Sequence, residues 1–400
     1  MIDPDIPLPL LGGLTPATFM RRHWQKKPLL IRQAIAGFKP PISFAEIKKM
    51  ARSDDVQARL IYQDEGQWQM EHGPFKRLPT PRDTHWTVLV QGADLHSDAA
   101  AALLHQFRFI PDARLDDMMV SIAGDGGGVG PHFDSYDVFL LQAQGQRRWR
   151  IGRQKDLTLQ PGLPLKVLQN FTPEDEYVLD AGDMLYLPPQ VAHDGVAVGE
   201  CMTISVGFRS PTLAVLAQGM LEAASDQVMA RAGTAAGPYA EPPLPAPVLT
   251  ELYRDPGQPA VSHPAALPET LVQAALAAVS RIKFDEALAT RFLGCWLTEP
   301  HASVQFDEPS GELDLLDEWP QAGELVLDRR TRLIYRGKNV FINGEVVPIA
   351  LNGAIKELAD ARRLVLDGAT AKRTSQATRE LLDEWAQVGW LHLRAGRTQD

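Results

Sequence analysis

Between residues 56 and 210 apolar and polar positions alternate over short stretches separated by Gly, Pro and Asp. The stretches cover residues 59–62, 86–90, 118–122, 136–142, 147–151, 184–187 and 202–208. Period-two alternation in pieces of this length predicts many short strands, hence an all-β sandwich or barrel. Ahead of them, residues 16–24 and 43–52 space their apolar side chains as helices do and should pack outside the barrel.

The pattern changes at Thr212. From there to about residue 232 it is helical, with Thr212 placed to cap the first turn. Prolines at 238, 242, 243, 245, 247, 256, 259, 264 and 268 mark residues 233–268 as a linker, with one short helix expected over 248–253. Helical periodicity returns over 269–296. Apolar runs at 332–335 and 340–342 then lead into Asn343-Gly344, a strong hairpin pair, followed by 345–347. Helices are expected over 354–361 and 375–388, and a strand over 390–393 closes a winged-helix-like module. The fold class is therefore α+β, with domains at 1–211 (an all-β sandwich or barrel with N-terminal helices), 212–296 (helical) and 297–400 (winged-helix-like).

Composition narrows the partners. A formal charge of -10 disfavours nucleic acid, whose binding depends on Lys and Arg neutralising phosphates, so no direct DNA binding is expected from the C-terminal module. It favours a basic partner. The two cysteines, Cys201 and Cys295, stand in apolar stretches far apart, which argues against a disulfide framework or zinc knuckle and fits a reducing cytoplasm. The N-terminus carries acidic residues where a secretion signal needs basic ones, and no apolar run approaches the roughly 20 residues that span a bilayer. A cytoplasmic protein with no membrane contact is expected.

The chemistry concentrates in two places. His132 and Asp134 are two apart, so on an extended strand they face the same way, as two ligands of one metal must. The stretch Leu185-Tyr-Leu-Pro-Pro-Gln-Val-Ala-His193 supplies a third ligand, because a Pro-Pro turn after a strand can aim His193 back into the barrel. Two histidines and one carboxylate leave three positions free on an octahedral Fe(II), enough for a bidentate co-substrate and O₂. The remaining histidines have no partner at ligand spacing, and Asp137 falls on the face away from Tyr136. The glycine run before His132 lacks the Gly-Lys-Ser/Thr of a phosphate loop and is read as a turn that presents His132 at the barrel mouth. Ser135, Ala143 and Gln144 are read as turn or exposed positions without chemistry.

Gly145-Gln-Arg147-Arg-Trp149-Arg150 sets Arg147 and Trp149 on one strand face and Arg148 and Arg150 on the other. Here the chain resembles the JmjC family, whose pattern puts a Lys or Arg two residues after this glycine and a Trp two later. The resemblance implies that Arg147 binds the distal carboxylate of 2-oxoglutarate. It tightens through His23-Trp-Gln-Lys-Lys-Pro28, His72-Gly-Pro-Phe75, Asp116-Asp-Met-Met-Val-Ser121, the segment from Gly126 to Phe139, Tyr186-x-Pro-Pro189 and Ser205-Val-Gly-Phe-Arg209. These motifs are similar to those of the bacterial ribosomal oxygenases.

That resemblance implies a double-stranded β-helix, hydroxylation of an arginine of large-subunit ribosomal protein number sixteen as by a protein arginine 3-hydroxylase, and a homodimer formed through the central helices. Asp117, Met119 and Ser121 alternate and so share a face. The resemblance implies that Asp117 and Met119 meet the target side chain with Tyr136 opposite, and that Ser121 lies nearer the co-substrate. Two other readings stay open on the residues alone. One is N-methyl demethylation by the same centre, and the other a non-catalytic cupin-like module that keeps a metal for stability.

Overall fold

The computed structural model describes every residue except 1, 81, 235–236, 308–314, 316–318, 321 and 395–400. It divides into two compact units, Met1–Ser210 with Ala302–Gln305, and Pro211–His301 with Phe306–Asp400.

The first unit is built on nine strands: β1 Leu29–Ile31, β2 Ala58–Asp64, β3 Gln67–His72, β4 Trp86–Val90, β5 Leu115–Ala123, β6 Val138–Gly152, β7 Asp175–Leu179, β8 Met184–Leu187 and β9 Ala192–Phe208. Their order is β1-β8-β6-β9-β5-β4-β2-β3, with β7 on the far part of β6. The long antiparallel pair β6 and β9 runs from Val138 opposite Gly207 to Gly152 opposite Ala192. Its near half also pairs with β8 and its far half with β7, so one strand pair serves both walls, as a double-stranded β-helix requires.

The crossing between walls corrects one expectation. Residues 136–142 and 147–151 were expected as separate strands bounded by Gly145, but they are one strand with register shifts between Gln142 and Gln146. Gly145 sits inside the bulge at φ +63°, and a Cβ there would lie 2.3 Å from the Glu200 carbonyl oxygen. Ala143, read as exposed, is buried, because the near half of β6 is covered on both faces. Phe139 and Leu141 join the large core with Phe19, Trp24, Tyr186 and Phe208, while Val138 and Leu140 join Trp149 and Leu185 on the other side. Helices α1 (Pro16–Arg22) and α2 (Phe44–Met50) pack on the large core through Phe19 and Ile47. Helices α3 (Ala93–His96) and α4 (Asp98–Leu104) lie between β4 and β5 in the chain.

The second unit opens with α5 (Leu213–Arg231), capped by the Thr212 hydroxyl, which accepts from Val215 N–H at 3.2 Å. The short helix expected over 248–253 is not formed. Its Val248, Leu252 and Tyr253 are exposed, with no apolar surface to repay helix nucleation between Pro247 and Pro256. The helix expected over 269–296 is two, α6 (Glu269–Ser280) and α7 (Glu286–Thr298), and Asp285 caps the second by accepting from Leu288 N–H. Helix α7 thus runs across the 296/297 boundary. It meets α5 closely, since a Cβ on Gly219 would lie 2.1 Å from the Phe292 ring.

Two small sheets and three helices follow: β10 Glu324–Leu327, β11 Leu333–Arg336, β12 Asn339–Ile342, β13 Glu345–Val346, α8 Gly353–Ala361, β14 Arg363–Val365, α9 Gly368–Arg373, α10 Gln376–Gln387 and β15 Leu391–Arg394. The turn between β12 and β13 has Asn343 at φ +47° and Gly344 at φ +91°, the left-handed pair that the Asn-Gly dipeptide anticipates. Among the described residues no helix is long and apolar enough to cross a membrane.

Candidate metal centre

The glycine run before His132 does two jobs. Gly126 and Gly130 take φ of +71° and +78°, which turn the chain out of β5. Gly127 and Gly128 are there for room, because a Cβ would lie 2.1 Å from the Trp86 carbonyl oxygen and 2.7 Å from that of Gly195. His132 then enters as an isolated bridge opposite His193 at the start of β9. The Pro188-Pro189 turn continues into Gln190 at φ +65°, whose N–H donates to the Asp134 carbonyl at 2.8 Å.

Each imidazole is oriented in the same way. His132 Nδ1 lies 2.9 Å from the Gly130 carbonyl oxygen, and His193 Nδ1 lies 2.9 Å from that of Val191. A carbonyl can only accept, so each Nδ1 carries the proton and each Nε2 keeps its lone pair for a metal. The donor atoms of His132, Asp134 and His193 all lie within 4.8 Å of one another, with His193 Nε2 3.6 Å from Asp134 Oδ2. Burial, and then the neighbouring His132, push the His193 pKa down to about 4, which keeps it neutral as a ligand must be. No other such cluster of three occurs among the described residues. Asp137 is fully buried elsewhere, accepting from Tyr186 Oη at 2.6 Å and Gln25 Nε2 at 2.9 Å.

The centre opens into a cavity of about 480 Å³ that also receives Arg147, Ser121, Asp117, Met119 and Tyr136. Arg147 is 4 % exposed; its Nη1 donates to the Gly195 carbonyl at 3.1 Å, but Nε and Nη2 have no partner among the described residues. A buried guanidinium with two idle nitrogens is costly unless an anion completes it, and its planar fork suits a carboxylate. Arg148 and Arg150 lie on the other face, paired with Glu176 and Asp194. Ser121 Oγ donates to the Thr203 carbonyl at 3.3 Å.

At the other side of the cavity, Asp117 Oδ2 accepts from Gln91 Nε2 at 2.6 Å and Gly92 N–H at 3.1 Å. Burial, and then the adjacent Asp116, raise its pKa to about 6. The Tyr136 phenol is pushed up by burial and by the Asp134 and Asp117 charges.

Ser135, set aside in the sequence reading, lines the cavity because the turn from Asp134 to Tyr136 wraps its rim. Gln91 was missed altogether. Its signal was its place at the end of β4, directly before the helix-opening Gly92.

Residues 102–216 match the model of the JmjC domain and residues 281–392 that of the ROXA-like winged helix. The chain is 33 % identical over 348 residues to a ribosomal protein uL16 3-hydroxylase of Escherichia coli strain K12, covering 85 % of this chain and 87 % of that protein. A probable ribosomal oxygenase of Haemophilus influenzae is 38 % identical over 218 residues, 52 % of each chain. The solved structure of YcfD, a ribosomal oxygenase from Escherichia coli, in complex with cobalt and 2-oxoglutarate is similar with a TM-score of 0.75 at 29 % identity, covering 96 % of this chain and 99 % of that one.

Proposed function

Because the chain belongs to the bacterial ribosomal oxygenases of the JmjC family, we propose that it is an Fe(II)- and 2-oxoglutarate-dependent enzyme that hydroxylates an arginine side chain of large-subunit ribosomal protein uL16. The observation that carries this reading is the meeting of two sets of groups in one cavity. His132, Asp134 and His193 offer free donor atoms, and Arg147 offers idle nitrogens. The first set would hold Fe(II); Arg147, with Ser121 of the same cavity, would hold 2-oxoglutarate, the guanidinium taking its distal carboxylate. When bound, that pair supplies O₂-dependent hydroxylation of a C–H bond, with succinate and CO₂ released.

The chain's own residues decide what is hydroxylated. Asp117 pairs with the substrate guanidinium, while Met119 and Tyr136 flank its aliphatic stem. Anchoring the cationic head at Asp117 leaves a stem carbon facing the metal ligands. The net charge of -10 attracts a basic ribosomal protein. The relatives' ribosomal substrate favours a cytoplasmic location.

The chain also forms a homodimer through its central helices. Helix α6 buries none of its residues, yet Val272, Leu276 and Val279 fall on one face at helical spacing. A second copy is the partner that such a face would meet across a two-fold axis.

The test is incubation of purified uL16 with enzyme, Fe(II) and 2-oxoglutarate, followed by mass spectrometry. One added oxygen on an arginine is expected. Consumption of 2-oxoglutarate without oxygen on any arginine would refute the substrate, and loss of a methyl group from a methylated substrate would favour demethylation instead.

A further inference from the structure

On the cavity face of β9, Thr203, Ser205 and Gly207 follow one another at period two, so the side chains shrink along the strand. Ser121 and Met119 of β5 pair with Thr203 and Ser205, and Val138 of β6 pairs with Gly207. Gly207 is buried and lines the cavity.

Neither backbone nor packing asks for a glycine at this position. Its φ is not among the positive values, so any L residue could take its conformation. A Cβ built there would meet Asp117 Oδ1 at 3.6 Å and Tyr136 Cε2 at 3.9 Å, ordinary contact distances. Gly127, Gly128 and Gly195 differ, since a Cβ on them would lie 2.1, 2.7 and 2.5 Å from its nearest neighbour. The missing methyl at 207 leaves a gap floored by bare backbone between a carboxylate oxygen and a phenol ring.

The carboxylate is turned to use that gap. Gln91 Nε2 and Gly92 N–H both donate to Asp117 Oδ2, and Oδ1 is the oxygen nearest Gly207. A flat cation about 3.5 Å thick, the contact distance between stacked atoms, fits between Oδ1 and the ring only if the floor carries no side chain.

We propose that Gly207 is a specificity-determining residue: it keeps open the slot between Asp117 and Tyr136 through which a guanidinium reaches Asp117 Oδ1. This rests on the reading of an arginine side chain as the substrate.

The experiment compares wild type with Gly207→Ala and Gly207→Val in two assays. One is hydroxylation of a uL16 peptide; the other is calorimetric binding of N-acetyl-arginine amide to enzyme holding Fe(II) and 2-oxoglutarate without O₂. The expected result for Gly207→Ala is a tenfold or greater rise in the peptide KM, an equal loss of arginine-amide affinity, an unshifted 2-oxoglutarate KM and an unchanged melting curve, with Val more severe than Ala. Unchanged peptide KM and arginine-amide affinity in Gly207→Ala would overturn the slot while leaving the substrate reading intact. Unfolding of Gly207→Ala would also overturn it, because packing would then account for the glycine. If wild type leaves uL16 unmodified but binds arginine amide, and Gly207→Ala does not, the slot stands and only uL16 as the source of the arginine falls. If wild type binds no arginine amide, the slot falls whatever uL16 shows.

Discussion

His132 and His193 exchange both of their backbone hydrogen bonds, His132 N–H to the His193 carbonyl at 2.9 Å and His193 N–H to the His132 carbonyl at 2.8 Å. The two residues are 61 apart in sequence, yet no slippage of one past the other is possible without breaking both bonds. Each side chain is then fixed a second time by its own Nδ1 contact. Both candidate ligand side chains are thus positioned by the main chain alone.

Replacing any one of His132, Asp134 or His193 by Ala should therefore lower metal affinity and turnover by roughly a hundredfold or more, while the melting curve of the apo protein keeps its cooperativity. Anaerobic titration with Fe(II) checks this. Wild-type affinity in any one of the three variants would remove that residue from the centre.

Arg147→Ala should raise the 2-oxoglutarate KM by about 10- to 100-fold, the equivalent of one charge-assisted pair of about 1.5–3 kcal/mol. Arg148→Ala removes an exposed guanidinium whose partner Glu176 is also exposed, and should leave that KM alone. Co-substrate saturation curves of both variants decide between the two faces of β6.

Asp117 must be ionised to pair with a guanidinium, and it ionises at about pH 6. The peptide KM should rise as pH falls through that value. A bound guanidinium stabilises the carboxylate, so binding at pH 6 should release a proton. Calorimetry in buffers of different ionisation enthalpy measures the release, and Asp117→Asn should abolish it.

Asp94 gives a stability effect of opposite origin. It is buried, it accepts from Met118 N–H at 2.9 Å, and burial and then the Asp117 charge raise its pKa to about 7. The folded state therefore holds this proton more tightly than the unfolded chain. The contribution is fully present below the ordinary carboxylate range and is lost as pH climbs to 7, up to about 4 kcal/mol across the window. Asp94→Asn keeps an acceptor for Met118 and should flatten this part of the stability profile, as urea unfolding between pH 4 and 8 will report.

Leu276→Glu with Val279→Glu places two charges on the uncovered face of α6, where both residues are exposed. Sedimentation at micromolar concentration should find a dimer for wild type and a monomer for the double variant. A monomeric wild type would count against the dimer.

Much of the candidate centre was legible because its residues obey short-range rules. His132 and Asp134 share a face by period two, and the Pro-Pro turn aims His193. Arg147 was reached through the glycine-spaced pattern, and its register on β6 followed from alternation. What escaped has no such rule behind it. Strand β3, Gln-Trp-Gln-Met-Glu-His, is an edge strand in which only Trp68 and Met70 are half-buried between exposed neighbours, two apolar positions being too short a run to mark a strand. Strand β7 pairs with β6 alone and is polar at its start. The division of residues 269–296 into two helices depends on Asp285 outcompeting continuation, a local choice that apolar spacing does not record. Gln91 and Gly207 matter through neighbours distant in the chain, Asp117 and Tyr136, and only the assembled barrel brings them together. Thr203-x-Ser205-x-Gly207 did carry a signal, three small residues on one face alternating with apolar Ile204, Val206 and Phe208.

The continuity of β6 also bears on how the centre comes apart. A single strand carries cavity-lining Val138 and Leu140 at one end and Arg147 and Trp149 at the other, and β9 accompanies it throughout. Amides along β6 cannot meet solvent by fraying at an edge, because each half of that strand is pinned on its other side by a further strand, β8 or β7. His193 opposite Ile151 and Arg147 opposite Ala197 both sit on the far half of this pair, so the two should open as one cooperative unit, with a single, slow hydrogen-exchange regime expected for both.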